Sequence, residues 1–353
     1  MRNESLQFLR DLVSAPSPSG FEQPAQRVVR EYASAFADEV RTDVHGNVIA
    51  VKNPGVEPRV MLAGHVDQIG LMVRFVTDEG FVHCASIGGV DPAILPGARV
   101  VVHGKQGPVP GVIGRKAIHL TPPEDRGKAL QMHDLWVDIG ARRKQEAEKL
   151  VAVGDPITLD VPFLQLRKDL VAAPGFDDKV GAFVVMEALR LLKGARLKCG
   201  VYAVSTVQEE VGLRGAVTST FGIAPQAGVA VDVTHAADYP GAEKKMSGDI
   251  RLGRGPAIAR GANINPAMER LLLEAANEAK IPVQLEAAPG GTGTDANAMQ
   301  LSRGGVATGL VAIPNRYMHS PSEVVSLSDL GQCAKLLAAT MRRIGPETDF
   351  TPV

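Results

Sequence analysis

Apolar residues recur at every third or fourth position in several parts of this chain, which is the spacing of amphipathic helices. The spacing predicts two helices near the N-terminus, over 4–14 and 22–36, with the turn-forming segment SPSG (17–20) between them. A strand pair is expected around His45-Gly46-Asn47. Three further helices are predicted over 178–192, 268–279 and 327–344.

Short, continuous apolar runs predict buried strands of the kind found in parallel sheets. These runs cover 59–64, 200–207, 228–233 and 306–313. Between about 69 and 164 the pattern changes to short β-rich runs closed by Gly, Pro or Asp, which predicts a small all-β barrel. Because strands and helices alternate on both sides of it, we expect the barrel to be inserted in one α/β domain. The predicted organisation is 1–68 and 165–353 for the α/β domain and 69–164 for the insert.

Polar side chains follow four of the predicted strands, at the point where each strand ends. In chain order they are His65 and Asp67, Glu209 and Glu210, Asp232 and His235, and His319 and Glu323. Because the carboxyl ends of parallel strands meet at one crevice, we expect these side chains to converge. A fifth candidate, Asp177, lies at the predicted N-terminus of the helix over 178–192.

Each of these groups has an ordinary structural interpretation when it is taken alone. A His-x-Asp sequence after a strand can be a capped loop, paired glutamates can be a solvated turn, and Asp177-Asp178 can cap a helix. Asp232 is harder to explain in this way, because a carboxylate inside an apolar run costs free energy unless it is paired or metal-bound.

Taken together, two histidines and three or four carboxylates form a mixed donor set that is typical of zinc or cobalt and exceeds the needs of one tetrahedral zinc. The surplus predicts two metal ions that share a carboxylate, with one acidic residue left over as a base. Glu209 and Glu210 are adjacent at a predicted strand end, where successive side chains point to opposite faces. One of the two can therefore bind metal while the other faces the substrate.

Composition and charge narrow the range of partners. The 353 residues include 38 Lys and Arg against 39 Asp and Glu, and the resulting net charge of -1 gives no electrostatic footprint for nucleic acid or an anionic membrane. The sequence shows neither a secretory leader pattern nor a membrane-spanning apolar run, which predicts a cytoplasmic protein.

Cys84, Cys199 and Cys333 form no CxxC pair and are expected to pack in the core. The remaining histidines are expected to be structural: His45, His83, His103, His119 and His133.

Seven motifs spread over nearly the whole chain carry a resemblance to a known family. They are SPSGFE (17–22), GHVDQIGLMV (64–73), PGFDDKVG (174–181), VQEEVGLRGA (207–216), AVDVTH (230–235), GTDA (293–296) and RYMHSPSE (316–323). Together they resemble the glutamyl aminopeptidase family of dinuclear metallopeptidases, which includes the tetrahedral, self-compartmentalising aminopeptidases. The resemblance implies an α/β fold with a mixed-sheet α/β/α zinc-peptidase-like catalytic domain and an inserted small β-barrel. It also implies that the barrel mediates dimerisation, from which larger, often dodecameric, shells are built.

The resemblance further implies which side chains hold two divalent metal ions. His65, Asp177 and Asp232 would bind one ion, and Asp177, Glu210 and His319 would bind the other, with Asp177 bridging them. The metals expected are zinc or cobalt.

Two catalytic roles also follow from the resemblance. Glu209 would be the general base, and Asp67 would orient His65, as ligand histidines generally require. In one respect the chain departs from the family pattern. Relatives commonly have HMDEIG, whereas this chain has Gln68 in place of the glutamate. The ligand and the residue that orients it are kept, so we expect catalysis to be retained.

The expected function is the removal of N-terminal residues from peptides with a free N-terminus. In this hypothesis two metal ions lower the pKa of a bridging water, and Glu209 takes its proton and passes it to the leaving amine. Two alternatives are a metal-dependent deacylase or deacetylase of a small amide on the same scaffold, and a non-catalytic assembly protein that has kept the fold.

Two loops bear on the substrate. The segment GGTGTD (290–295) lacks the features of a phosphate-binding loop and is expected to line the substrate pocket. Lys244, Lys245 and Arg254 are interpreted as a solvated basic loop, with a preference for acidic substrate side chains as the alternative.

Overall fold

Residues 1–352, which a computed structural model describes, form nine α-helices and seventeen strands. The helices are α1 Asn3–Ser14, α2 Gln23–Ala33, α3 Lys144–Ala147, α4 Phe176–Leu191, α5 Arg214–Ile223, α6 Lys244–Ser247, α7 Pro266–Glu278, α8 Asp295–Gln300 and α9 Leu327–Met341. The first nine strands are β1 Glu39–Thr42, β2 Val48–Lys52, β3 Arg59–His65, β4 Gly70–Val76, β5 Val82–Ile87, β6 Arg99–Gly104, β7 Gly107–Arg115, β8 Leu135–Asp138 and β9 Pro156–Leu159. The others are β10 Leu164–Gln165, β11 Leu170–Ala173, β12 Gly200–Thr206, β13 Ala227–His235, β14 Ala257–Gly261, β15 Gln284–Ala288, β16 Ala307–Asn315 and β17 Glu323–Ser326.

An eight-stranded mixed sheet forms the centre of the α/β part, in the order β1-β2-β12-β3-β13-β16-β14-β15. Its middle strands β12, β3, β13 and β16 are mutually parallel, whereas β2 and β14 pair with them in the antiparallel sense. A second, three-stranded antiparallel sheet has the order β10-β11-β17. Because the four middle strands run in one direction, the polar residues that follow them all emerge at the same edge.

Alternate residues of β3 serve the two faces of the large sheet. Val60 and Leu62 pack with the helices α1, α2, α4, α7 and α9, whereas Met61 and Ala63 pack with α5 and α8. All four side chains are fully buried. A strand covered on both faces has no solvent side, which explains why the run over 59–64 is apolar at successive positions rather than alternate ones.

The inserted segment forms a closed barrel of six antiparallel strands, in the order β4-β5-β8-β7-β6-β9. The barrel closes where β4 pairs with β9, at Leu71 opposite Ile157. Alternate residues point inward, as Val100 and Val102 do in β6, and they form a core of their own. The predicted fold class, a mixed α/β domain with a small β-barrel, is confirmed. The boundaries at 68/69 and 164/165 stay predictions.

Three smaller expectations can also be compared with the fold. Each predicted helix and each predicted strand of the α/β part is present, with ends that differ by up to three residues. The three cysteines are free and buried, as predicted. Within residues 1–352, none of the helices combines the length and the apolar character that crossing a membrane requires.

Candidate active site

A cleft of about 280 Å³ lies at the edge where the middle strands of the large sheet end. Its walls carry most of the polar residues singled out from the sequence, together with part of the glycine-rich loop: His65, Asp177, Glu209, Glu210, Asp232, His235 and His319, and Thr292, Gly293 and Thr294. The prediction that the strand-end groups converge, and that the glycine-rich loop lines the pocket beside them, is therefore confirmed for these residues. Asp67 and Glu323 lie behind the wall, where both are buried.

Close packing of β3 against α4 sets two of these side chains opposite each other. A Cβ atom at Gly64 would lie 2.6 Å from the backbone nitrogen of Ala182, so only glycine permits this approach. Asp178 ties the two elements together, since its carboxylate accepts hydrogen bonds from the backbone N–H groups of His65 (3.2 Å) and Gly181 (3.0 Å). The carboxylate of the preceding Asp177 is thereby left free to face the cleft.

The carboxylate of Asp177 lies between two imidazole rings. Its Oδ1 atom is 3.2 Å from Nε2 of His65, and its Oδ2 atom is 3.1 Å from Nε2 of His319. Glu210 adds a second oxygen on the His319 side, with Oε1 at 3.4 Å from the same Nε2 atom. Asp232 lies on the other side, with Oδ1 at 3.9 Å from Nε2 of His65.

Backbone carbonyls fix how the two histidines present their nitrogens. Nδ1 of His65 is 3.0 Å from the carbonyl oxygen of Asp67, and Nδ1 of His319 is 3.1 Å from that of Gly89. When the protonated Nδ1 donates a hydrogen bond to a carbonyl oxygen, Nε2 keeps its lone pair and can bind a metal ion. Gly89 follows strand β5, so the barrel also contributes to the site.

Asp67 holds the two glutamates through their backbone. Its Oδ1 atom accepts a hydrogen bond from the N–H of Glu209 (3.0 Å), and its Oδ2 atom accepts from the N–H of Glu210 (3.2 Å) and the hydroxyl of Ser19 (2.7 Å). The Asp67 carboxylate is also 3.5 Å from Nδ1 of His65. The expected role of Asp67 in orienting His65 stays a prediction.

The glutamate pair lies just beyond the strand end at which it was expected, so the strand alternation expected to separate its two side chains does not apply. Strand β12 ends at Thr206, and the pair lies in the turn that follows, where Gln208 has a left-handed backbone with φ of 55°. The turn nevertheless separates the two side chains. Glu209 faces His65, with Oε2 at 3.7 Å from Nε2, whereas Glu210 faces His319.

The cluster has more negative than positive charge, and the pKa values respond to it. Burial raises the pKa of Glu209 to about 9, and burial also raises the pKa of Asp232. The contacts with Asp177 and Glu210 raise the pKa of His319 to about 11. Burial opposes ionisation of Asp177, but its contacts with His319 and His65 outweigh burial and hold its pKa low. Groups that retain protons in this way indicate a place that is built for positive charge.

The donor set fits divalent metal ions. Oε1 of Glu210 is buried and accepts no hydrogen bond, which is costly for a carboxylate oxygen unless a cation binds it. Ligand atoms of His65, Asp177 and Glu210 all lie within 4.8 Å of one another, and so do those of His65, Asp178 and Asp232. Since both oxygens of Asp178 already accept backbone hydrogen bonds, we regard Asp178 as structural.

Glu323 does not line the cleft, although its position after a predicted strand suggested that it would. It was singled out with His319 as a strand-end group, but it is buried beneath the site, and its oxygens accept hydrogen bonds from the backbone N–H groups of Asp177 (2.7 Å) and His319 (3.2 Å). His235 is exposed at the rim of the cleft and does not join the cluster.

Two residues near the site were not singled out from the sequence. Asp295, within the GTDA motif, is buried and accepts a hydrogen bond from the hydroxyl of Thr206 (2.6 Å). Glu286 lines the cleft from strand β15. The GTDA motif was a signal for Asp295, whereas nothing in the local sequence marks Glu286.

The sequence and the fold were compared with known proteins. Residues 46–336 match the model of the M42 glutamyl aminopeptidase family, which is more than half of the chain. The chain belongs to this family. The resemblance inferred from the seven motifs is thereby confirmed.

Full-length relatives agree with the M42 assignment. The chain is 37% identical to a lysyl aminopeptidase of Pyrococcus furiosus, over 98% of this chain and 99% of that protein. Among solved structures, a TET aminopeptidase from a marine sediment archaeon of the Thaumarchaeota superposes with a TM-score of 0.95 at 35% identity, with 99% of each chain covered. A TET peptidase of Pyrococcus horikoshii, described as assembling into a tetrahedron or a large octahedral shell, superposes with a TM-score of 0.86 at 31% identity, over 96% of this chain and 100% of that one.

Membership of the M42 family makes the protein a peptidase, and therefore a hydrolase, and supports aminopeptidase activity. It also implies the use of divalent metal ions, which agrees with the donor set at the cleft.

Proposed function

We propose that this protein removes N-terminal residues from peptides with a free N-terminus and that two divalent metal ions bind in the cleft. The observation that carries the proposal is the position of Asp177 between His65 and His319, with one carboxylate oxygen at 3.2 Å and the other at 3.1 Å from an Nε2 atom. Because each oxygen faces a different histidine, one carboxylate can serve two ions.

The contacts divide the ligands into two groups. His65, Asp177 and Asp232 would hold one ion, and Asp177, Glu210 and His319 would hold the other. Imidazole nitrogens mixed with carboxylate oxygens favour zinc or cobalt over magnesium or calcium. The ions held by these residues would polarise the scissile carbonyl and lower the pKa of the attacking water.

Glu209 is the residue that we assign to proton transfer. Its carboxylate lines the cleft, with Oε2 at 3.7 Å from Nε2 of His65. With two cations bound beside it, Glu209 would be ionised; it takes a proton from the attacking water on its carboxylate oxygen and delivers the proton to the leaving amine. Asp67 accepts a hydrogen bond from the backbone N–H of Glu209 and thereby holds the backbone that carries this carboxylate.

The acidic lining of the cleft provides for a free α-amine. In this proposal a free α-amine docks among the metal ions and the carboxylates that surround them, whereas an N-acetylated terminus has no amine to place there and adds bulk. This restricts cleavage to the first residue of the peptide.

Rates on paired substrates test the proposal. The metal-loaded protein should hydrolyse leucyl-p-nitroanilide and leave N-acetyl-leucyl-p-nitroanilide intact. A chelator should abolish the rate, and added zinc or cobalt should restore it. Preferred release of acetate from an N-acetylated substrate would instead identify a deacylase, and full activity in the presence of excess chelator would contradict metal dependence.

We further propose that the chain self-associates through the barrel, forming dimers and, from them, assemblies up to a dodecamer. The barrel segment exposes large apolar side chains, among them Phe75 (55% exposed), Val112 (48%) and Leu120 (71%), and an interface formed by the barrel would cover such side chains. The mass of the native particle by light scattering tests this proposal. Replacing Leu120 with Asp should lower that mass, and a wild-type particle of one chain would contradict it.

A further inference from the structure

Glu286 is the acidic residue of the cleft that the proposed metal site leaves unused. Its Oε1 atom accepts a hydrogen bond from the hydroxyl of Thr234 at 2.7 Å. Its Oε2 atom is buried and has no hydrogen-bond partner. A buried carboxylate oxygen without a donor is unfavourable, because it has lost its hydration and gained nothing in return. The second oxygen of Glu286 therefore has unused capacity to accept a hydrogen bond.

The charge around Glu286 indicates what kind of donor fits. Within residues 1–352, the cleft has neither lysine nor arginine in its walls. Two divalent ions would offset the four carboxylates of Asp177, Glu209, Glu210 and Asp232, and Glu286 would remain as an additional negative charge. This charge would repel an acidic substrate side chain, which would find no lysine or arginine to pair with among the described residues of the cleft walls. A basic substrate side chain would neutralise the charge.

The titration of Glu286 is consistent with an incoming cation. Burial raises its pKa, the hydrogen bond from Thr234 lowers it, and the nearby His235 lowers it further, but burial outweighs both. An ammonium or guanidinium group placed beside the carboxylate would stabilise its ionised form.

The basic loop that could have favoured acidic substrates lies elsewhere. Lys244 forms an ion pair with Asp249 at 2.9 Å, and Lys245 forms one with Glu243 at 3.1 Å. Both lysines are exposed. They therefore belong to a solvated loop, as predicted, and they add no positive charge to the cleft.

We infer that Glu286 determines the side-chain preference of this protein by receiving the charged end of an N-terminal lysine or arginine. The inference rests on the proposed aminopeptidase function and adds the class of residue that is removed. Glu286 is a specificity-determining residue in this account, and the hydroxyl of Thr234 holds its carboxylate in place.

The test compares two side chains that differ mainly in charge. Values of kcat/KM are measured with the full-length, metal-loaded protein on the p-nitroanilides of lysine, norleucine and glutamate. Norleucine keeps the four-carbon chain of lysine but lacks its ammonium. The wild-type protein should prefer lysine to norleucine by about tenfold or more, the range expected for a hydrogen bond to a charged group, and glutamate should be the poorest substrate.

The variant Glu286→Gln should lower the ratio of lysine to norleucine by about tenfold, since the amide keeps the size of the side chain but removes its charge. The matched control is Glu243→Gln, which removes an exposed carboxylate outside the cleft and should leave the ratio at the wild-type value. Calorimetric binding of free lysine and free norleucine to the wild-type protein and to Glu286→Gln provides an equilibrium readout of the same ratio.

The possible outcomes separate this inference from the proposed function. A wild-type protein that cleaves norleucine anilide as fast as lysine anilide overturns the role of Glu286 and leaves aminopeptidase activity standing. An equal loss on both substrates in Glu286→Gln also overturns it, because the residue would then bind the α-amine or support the fold. Failure of the wild-type protein to cleave any of the three anilides would contradict both proposals. The wild-type ratios decide the matter even if the variant does not fold.

Discussion

Replacing Gly64 with alanine should open the contact between β3 and α4 and thereby disrupt the site. A Cβ atom at this position would lie 2.6 Å from the backbone nitrogen of Ala182 and 2.7 Å from the carbonyl oxygen of Gly181, where ordinary contacts start at 3.4 Å. Backbone atoms cannot rotate away, so the helix must move by about 1 Å. Overpacking of this kind costs about 1–3 kcal/mol of unfolding free energy, and we expect the upper end here because main-chain atoms clash.

The same movement should reach the proposed metal ligands. His65 directly follows Gly64, and its backbone N–H donates to Asp178 at 3.2 Å while its Nε2 atom lies 3.2 Å from Asp177. A displacement of about 1 Å would break the hydrogen bond and separate the two ligands, because hydrogen bonds weaken steeply beyond their normal length. Gly64→Ala should therefore bind less metal than the wild-type protein and melt at a lower temperature.

The assay combines thermal unfolding with metal content by elemental analysis. The matched control is Gly331→Ala, in the interior of α9, where a Cβ would meet no other atom within 4 Å. Alanine is a better helix former than glycine, so this control should gain about 0.5–1 kcal/mol. A Gly64→Ala protein with wild-type metal content and wild-type melting temperature would refute the reasoning.

Three further changes test other parts of the account. Glu209→Gln should keep its bound metal but lose about 10²–10⁴ in kcat, because it removes the proton acceptor; a near wild-type kcat on aminoacyl anilides would reject Glu209 as the base. Asp177→Ala should lower the amount of bound metal, since one carboxylate serves both ions, and unchanged metal by elemental analysis would argue against sharing. Asp169 accepts a hydrogen bond from Ser326 at the start of α9, and this contact lowers the pKa of Asp169 below its usual value. A lowered carboxylate pKa stabilises the fold above the unfolded-state value near 3.8, and the contribution is lost as the pH falls through the folded-state value. Asp169→Asn should therefore be less stable than the wild-type protein at neutral pH, by less than about 1 kcal/mol for this partly exposed group, and the difference should shrink in acid; a deficit in unfolding free energy that stays constant with pH would contradict this explanation.

The elements that position the proposed metal site could be predicted because their sequence patterns are strong. The apolar run over 59–64 ends abruptly at His65, and the run over 228–233 contains a single carboxylate, Asp232. Buried parallel strands produce such runs, and a polar residue within or just after them has few structural explanations. Convergence of the strand ends then followed from the geometry of parallel sheets.

Other features depend on contacts between distant parts of the chain, which local patterns do not encode. Glu286 lies in a strand whose alternating pattern resembles an ordinary exposed edge, and only the fold brings it to Thr234, 52 residues away in sequence. Strand alternation was expected to separate the side chains of the glutamate pair, but strand β12 ends at Thr206 and the left-handed backbone of Gln208 places the pair in a turn. The contact between Gly89 and His319 joins the barrel to the α/β domain across 230 residues.

The number of divalent ions that each chain binds is the most direct test of the proposal that two metal ions share the carboxylate of Asp177. Protein stripped of metal with a chelator would be titrated with zinc or cobalt, and bound ions per chain would be counted by calorimetry and by elemental analysis. The position of Asp177 between His65 and His319 predicts two ions per chain, with peptidase activity returning as both sites fill. A stoichiometry of one ion per chain at full activity, or no binding at all, would contradict the shared carboxylate on which the proposed function depends.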